Sequence, residues 1–155
     1  MPGRDPSQPV PDDHDAGMPK SGTRGSAGRG RRVKQAWFGT LGQLDFEIDF
    51  FERLLVRRPD AIEALRVLAE LVSRKGHLPR AVELDRRIVD LLPDDFLARY
   101  NLACSLARAG SADEAIDSLS RAILLGYDDI AHMEADPDLE SLRHHPDFQA
   151  LLGGD

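Results

Sequence analysis

The sequence has little of several features that would point to a specific chemistry. A single cysteine, Cys104, excludes a disulfide framework and a zinc site built from several cysteines. Aromatic residues make up only 6% of the chain, which argues against a platform of rings that stacks nucleic-acid bases. No apolar run reaches the roughly 18 residues that a membrane-spanning helix needs. These absences favour an ordinary water-exposed domain with no chemistry of its own.

Proline and glycine are unevenly distributed along the chain. Residues 1–33 contain five of the ten prolines and six of the 13 glycines, with almost no apolar periodicity. This composition predicts a disordered leader. No apolar segment follows its charges as in a signal peptide, and the one after Arg31-Arg32 is too short for twin-arginine export. We therefore expect a cytoplasmic protein, whose translation starts at either Met1 or Met18.

Charge is also divided along the chain, whose formal net charge is −7. Residues 1–34 carry seven Lys or Arg and four Asp, whereas the remainder carries thirteen basic and 23 acidic residues. The basic residues of the leader could bind nucleic acid weakly by releasing counterions, or could simply keep the chain soluble. These candidate tail residues are Lys20, Arg24, Arg29, Arg31, Arg32 and Lys34.

An internal repeat dominates the rest of the sequence. When 62–95 is aligned with 96–129, ten of 34 positions are identical, against about two or three expected by chance. A further shift aligns 42–61 with 76–95 and matches Gly42 to Gly76 and Pro59 to Pro93. The sequence is therefore built from one supersecondary unit that recurs.

Each unit has the pattern of two helices. In the first unit, apolar residues recur at helical spacing from Ile62 to Val72 and again over 78–91, where Leu91 is expected to face inward. Gly76 and Gly110 are expected to end first helices, and Pro93 to close a second one. Asp60, Asp94 or Asp95, and Ser111 are expected N-caps.

A solitary helix of the second type is predicted earlier in the chain, over 44–57, with Trp37 and Phe38 in a shortened helix beneath it. Ser118 is expected on an exposed face.

This helix–turn–helix unit resembles the tetratricopeptide repeat. Leu68-Ala69 and Leu102-Ala103 match the leucine-small pair of that pattern, and Ala81 and Ala115 match its obligatorily small position. Leu65 and Arg99 stand where the pattern has its leading Trp, and Tyr127 replaces a second closing Pro. The resemblance implies an all-α, short right-handed α-solenoid of helix-turn-helix repeats, and the composition of residues 1–33 adds a disordered N-terminal tail.

The same resemblance implies a division of the chain into five parts. These are the leader 1–33, a partial first repeat 34–61, full repeats 62–95 and 96–129, and a helical cap 130–155. The cap looks like the closing element of many bacterial arrays. Asp136-Pro137 and His145-Pro146 are each expected to start a short helix, because Pro is favoured at the first helical position.

The resemblance also places the candidate binding residues on the first helix of each unit, facing a concave groove. A partner peptide could contact an apolar platform at Tyr100 and the amide of Asn101, although Tyr100 is equally compatible with simple packing between repeats. The groove residues are Glu63, Arg66, Val67, Glu70, Ser73, Arg74, Leu97, Tyr100, Asn101, Cys104, Ala107 and Arg108.

We expect no catalytic residue, metal or cofactor. His132 and Asp136 are four residues apart, but Pro137 should break the helix that would align them. No HExxH motif or phosphate-binding glycine loop occurs, and no histidine stands at a plausible offset from Cys104.

The leading hypothesis is a non-catalytic adaptor that binds a peptide or partner helix in the groove, away from membranes. Two alternatives remain open. One is a nucleic-acid or ribonucleoprotein accessory that uses the basic tail, and the other is a structural module that associates through its open end.

Overall fold

A computed structural model describes residues 42–153, and this part of the chain is α-helical throughout. Its elements are α1 (42–57), α2 (Ile62–Arg74), α3 (Leu78–Leu91), α4 (Phe96–Arg108), α5 (Ala112–Leu124), α6 (Ile130–Ala135), a 3-10 helix (Pro137–Leu142) and α7 (Pro146–Gly153). The all-α prediction is confirmed for these residues. The predicted leader and the predicted helix around Trp37 and Phe38 lie outside the described residues.

Helices that follow one another in the chain pack against one another. α2 packs on α3 and α4 on α5, and α3 also packs on α4, so that one core runs through both pairs. Ala81 and Ala115, which occupy equivalent positions of successive units, are completely buried. A methyl side chain at these positions lets the paired helices cross closely, and a larger side chain would force them apart.

Glycine ends the first helix of each pair through its backbone conformation. Gly76 and Gly110 both have φ of +86°, a left-handed geometry that costs other residues free energy. After α4, the Gly110 amide donates to the carbonyl of Ala107 and the next amide donates to that of Leu106. The same pair of bonds follows Gly76 and, after α5, Gly126, so each turn is a Schellman motif.

Aspartate begins the first helix of the second pair and also begins α6. The Asp95 carboxylate accepts hydrogen bonds from the amides of Leu97 and Ala98, as an N-cap does. Asp129, at the equivalent position of the next unit, accepts one from the amide of His132. The predicted N-cap Asp60 is wrong, because α2 begins after Ala61. Ser111 stands at the N-cap of α5 but its side chain makes no capping bond.

Two predicted exposures are also wrong. The sequence pattern places Leu91 in the core, but this residue is 43% exposed at the end of α3. The pattern places Ser118 on the surface, yet it is buried and its hydroxyl donates to the carbonyl of Arg99 at 2.8 Å. Each lies at the edge of an apolar stripe, where helical periodicity alone does not decide which neighbour covers the side chain.

The segment after α6 covers the last helix pair. Leu139, Leu142 and Phe148 are essentially fully buried, and the hydroxyl of Ser141 donates to the carbonyl of Ala107 at 3.1 Å. Both Pro137 and Pro146 begin a helical segment, as predicted. The apolar side of the array is therefore closed by a short element whose outer residues are polar.

Candidate functional site

A concave pocket of about 390 Å³ lies where α2, α4 and the segment after α5 meet. First helices supply most of its wall, and α3 supplies part of its floor. Its volume lies within the range of about 300–1,000 Å³ that is usual for binding sites. The pocket is lined by Arg66, Ala69, Glu70, Ser73, Asp85, Ile88, Ala98, Tyr100, Asn101, Cys104, Ser105, Arg108, His132, Asp136 and Asp138.

The predicted groove residues divide into two groups. The structure brings most of the central ones together in this pocket, namely Arg66, Glu70, Ser73, Tyr100, Asn101, Cys104 and Arg108. Glu63, Val67, Arg74, Leu97 and Ala107 do not line it. Glu63, Val67, Arg74 and Leu97 are exposed elsewhere on the surface, while Ala107 is buried in the core.

Tyr100 is anchored at one wall of the pocket by interactions within the protein. Its ring stacks on that of Tyr127 with centroids 4.5 Å apart, and its hydroxyl donates to the Asp136 carboxylate at 2.7 Å. Burial, followed by the hydrogen bond to Asp136, raises the pKa of Tyr100 above its usual range. Tyr100 is 5% exposed, so most of its surface serves packing and little of it is free to contact a ligand.

Asp136 joins three side chains at this wall. Besides Tyr100, the Cys104 sulfur lies 3.9 Å from its Oδ2 atom, and His132 Nε2 lies 3.5 Å from the same oxygen. Pro137 does end α6 at Ala135, as expected, and the turn that follows still brings these two side chains together. Asp136 is the N-cap of the following 3-10 helix, and its other oxygen accepts from the Asp138 amide. The turn at Pro137 directs the carboxylate back toward the pocket.

This cluster does not have the properties of a nucleophilic or metal centre. Burial, together with the negative charge of Asp136, raises the pKa of the Cys104 thiol well above its usual range. The thiol is thus the stable form at neutral pH, and a thiol is a poor nucleophile and metal ligand. Within residues 42–153, no group of three or more His, Cys, Asp or Glu side chains is placed to hold a metal ion.

The rim of the pocket carries charges of both signs. An Arg66 guanidinium nitrogen lies 3.2 Å from the Asp95 carboxylate, and Arg108 donates to Ser73 and lies 3.8 Å from Asp138. Glu70 and Asn101 are exposed between these two arginines. The Asn101 amide makes no hydrogen bond to another side chain or backbone group of the described residues. It can therefore both donate to and accept from a bound main chain.

The floor of the pocket contains a buried carboxyl group. Asp85 of α3 is 6% exposed and accepts a hydrogen bond of 2.5 Å from the hydroxyl of Ser105 on α4. Burial raises the pKa of Asp85 to about 6, and the bond from Ser105 opposes part of that rise. Asp85 and Ser105 are not among the predicted site residues, because only packing of α3 against α4 brings them together.

His132, Asp136 and Asp138 are also absent from the predicted groove residues. A signal for their position is present in the sequence. When the 34-residue repeat is extended by one unit, Ile130 aligns with Phe96, which starts a first helix. A first helix at that place faces the concave side. The signal is weak because proline at position 137 shortens this helix to Ile130–Ala135, and the repeat pattern stops with it.

Comparison with known proteins places this geometry among helical repeats. No family model matches the sequence. A chloroplastic protein of Arabidopsis thaliana is 31% identical over 83 residues, which is 52% of this chain. The chain covers only 25% of the length of that relative. The solved structure MamA MSR-1 C2 superposes with a TM-score of 0.56 at 24% sequence identity. The superposition covers 76% of this chain and 71% of the MamA chain.

The structural likeness concerns the fold. MamA is a helical tetratricopeptide solenoid, and the same arrangement of paired helices is present here. None of the helices in the described part of the chain is long and apolar enough to cross a membrane. The chain is thus a short all-α solenoid with a tetratricopeptide-like fold.

Proposed function

We propose that this protein is a non-catalytic adaptor that binds a peptide or a partner helix in the pocket between α2 and α4. The observation that carries the proposal is the convergence of polar groups from three elements on one concave surface. Arg66 and Glu70 come from α2, Asn101 and Arg108 from α4, and His132 from α6. A scaffold of this fold supplies rigid helices on which such groups keep their positions.

The chemistry of the rim favours a peptide over a small apolar ligand. Most lining side chains are polar, and charges of both signs lie along the rim rather than around one point. The Asn101 amide, which makes no hydrogen bond within residues 42–153, suits main-chain recognition, which is independent of peptide sequence. Arg66 and Arg108 suit an acidic side chain at one place, and Glu70 suits a basic side chain at another.

A random 12-residue peptide library displayed on phage tests this proposal directly, because it samples many peptide sequences at once. Peptides selected on the purified protein are synthesised, and their dissociation constants are measured by calorimetry. We expect Asn101→Ala and Glu70→Ala each to weaken binding at least about tenfold, because few contacts carry most of the energy of an interface. Asp117→Ala, an exposed change on α5, is the matched control and should leave binding unchanged.

Two outcomes would contradict the proposal. Failure to select any peptide would show that the pocket does not recognise extended chains. Selected peptides that bind the Asn101 and Glu70 variants normally would place the contact elsewhere. Deletion of residues 1–33 distinguishes binding in the pocket from binding by the basic tail. Binding that is lost on this deletion, and that weakens steeply as the salt concentration rises, would be electrostatic binding by the tail.

A further inference from the structure

Helix α1 presents two different faces. One face packs on the rest of the molecule through Ile48, Phe51 and Leu55, and the Glu52 carboxylate accepts hydrogen bonds from Arg80 at 2.7 and 3.0 Å. About half a turn away lies a second row of large side chains. We call this row the α1 stripe, and it consists of Phe46, Phe50, Arg53 and Arg57.

The α1 stripe leaves large apolar side chains without cover from the described residues. Phe46 is 67% exposed and Phe50 is 53% exposed. The repeat register pairs Phe50 with Leu84 of α3, which is completely buried. A side chain at this position of a complete repeat is therefore a core residue. Beside Phe50 is a shallow surface groove of about 440 Å³ lined by Phe50, Arg53, Leu54, Val56 and Arg57.

Exposed aromatic side chains grouped in this way are typical of an interaction surface. The charge pattern of α1 indicates which partner fits. Acidic residues occupy its first half, at Asp45, Glu47 and Asp49. Its second half carries Arg53 and Arg57, and the one acid there, Glu52, is bonded to Arg80. A helix with this pattern is complementary to its own sequence when the second copy runs in the opposite direction.

We propose that the α1 stripe binds the α1 stripe of a second copy of this chain, in an antiparallel pair with twofold symmetry. A symmetry axis near the middle of α1 places Arg53 of each copy beside Phe50 of the other. It places Arg57 beside Phe46 in the same way. Each guanidinium can then lie against an aromatic face, which is a favourable cation–π contact.

The same arrangement satisfies the charges around the rings. Arg53 bonds Asp49 of its own helix at 3.0 Å, and both side chains are largely exposed, so Arg53 is free to exchange partners. In the antiparallel pair, Arg53 lies near Asp49 of the second copy, since Asp49 precedes Phe50 on the same side of the stripe. Because the interface is isologous, each such contact occurs twice, and a parallel pair would instead place like charges side by side.

The test uses the full-length protein in sedimentation equilibrium over a range of concentrations. We expect a species of about twice the 17.1 kDa chain mass that dissociates on dilution. Phe50→Arg should raise the dissociation constant of the dimer at least about tenfold, since it replaces an aromatic ring by a charge that faces Arg53 of the other copy. Leu124→Glu, which changes a side chain that is 85% exposed on α5, is the control and should have no effect.

Charge exchange tests the antiparallel geometry itself. Asp49→Arg and Arg53→Glu should each abolish the homodimer, because each places like charges opposite one another. An equimolar mixture of these two variants should form a heterodimer, because both contacts between the copies are then between opposite charges. Circular dichroism confirms that each variant is folded.

Three results would overturn the proposal. The first is a monomer at every concentration, which would assign the stripe to a different covering partner. The second is a dimer that Phe50→Arg leaves intact. The third is a mixture of the two charge variants that stays monomeric.

Discussion

Asp85 and Ser105 form a buried hydrogen bond between neighbouring repeats, and that bond contains a titratable group. Asp85 has a pKa of about 6 because burial disfavours its charged form. In the unfolded chain an aspartate has a pKa of about 3.9. The native state therefore holds this proton more tightly than the unfolded state does, so the contribution of Asp85 to stability falls as pH rises from about 4 to about 6.

Asp85→Asn should remove this pH dependence, because asparagine accepts the Ser105 hydrogen bond without titrating. Two pKa units correspond to about 3 kcal/mol. The free energy of unfolding of the variant, minus that of the parent, should rise by up to about this amount between about pH 4 and pH 7. Urea denaturation across this range measures it.

Asp90→Asn, on the exposed side of the same helix, provides the control. A flat difference for Asp85→Asn over this range would show that the carboxyl does not titrate in the buried state.

Tyr100 both lines the candidate pocket and makes a buried hydrogen bond within the protein. Tyr100→Phe keeps the ring stacked on Tyr127 and removes the hydrogen bond to Asp136, which should lower the free energy of unfolding by about 1–3 kcal/mol. Tyr127→Phe is the matched control, because the buried Tyr127 hydroxyl has no hydrogen-bond partner in the described residues. Its effect should be within about 0.5 kcal/mol. Equal losses in denaturant unfolding would mean that the Asp136 bond contributes nothing.

At the scale of elements, local backbone chemistry sets where each helix ends. The turns after α2, α4 and α5 share one motif, in which a glycine with positive φ allows two amides to satisfy the last carbonyls. Gly76 and Gly110 occupy equivalent positions of the two full units. Such a turn fixes the angle at which the second helix returns along the first.

Gly110→Ala should therefore destabilise the protein by about 1 kcal/mol through the backbone alone. An added methyl group would meet no atom within 4 Å, so steric overlap does not contribute. Gly42→Ala is a matched control at the start of α1, where space is also open, and it should be neutral or slightly stabilising because alanine favours helix. Thermal melting of both variants measures the difference. Similar melting temperatures would show that the turn tolerates alanine.

At the scale of the whole molecule, stability depends on contacts between adjacent units. A solenoid buries its apolar surface only through neighbouring elements, so an uncovered terminal unit is weak. Here the 3-10 helix packs on α4, and α7 contacts α5 and α6. The closing segment also supplies Asp136 and Asp138 to the pocket, so that the same residues stabilise the array and shape its candidate binding surface.

Removal of residues 136–155 should lower the melting temperature and cause aggregation, because it uncovers the apolar surface on which Leu139, Leu142 and Phe148 pack. Light scattering during heating measures both effects. Phe148→Ala leaves the segment in place and should cost about 3–5 kcal/mol as a cavity-forming change. A truncated protein that does not aggregate and melts at the same temperature as the full chain would show that the segment does not stabilise the array.

The sequence by itself determined the helices and their repetition. Apolar periodicity, the glycines at 76 and 110 and the prolines at 93, 137 and 146 act within a few residues, so the bounds of α3 and the starts of the closing helices were predictable. Part of the candidate groove was predictable for the same reason, because the repeat register assigns Arg66, Glu70, Asn101 and Arg108 to first helices.

Only the tertiary structure decided which polar groups share the pocket. Asp85 and Ser105 are 20 residues apart, and Tyr100 and Asp136 are 36 apart, so no local pattern pairs them. Ser118 and Leu91 show the same limit, since each lies at the border of a helical stripe. Whether such a residue is covered depends on how the next helix packs, and that packing is a property of the assembled array.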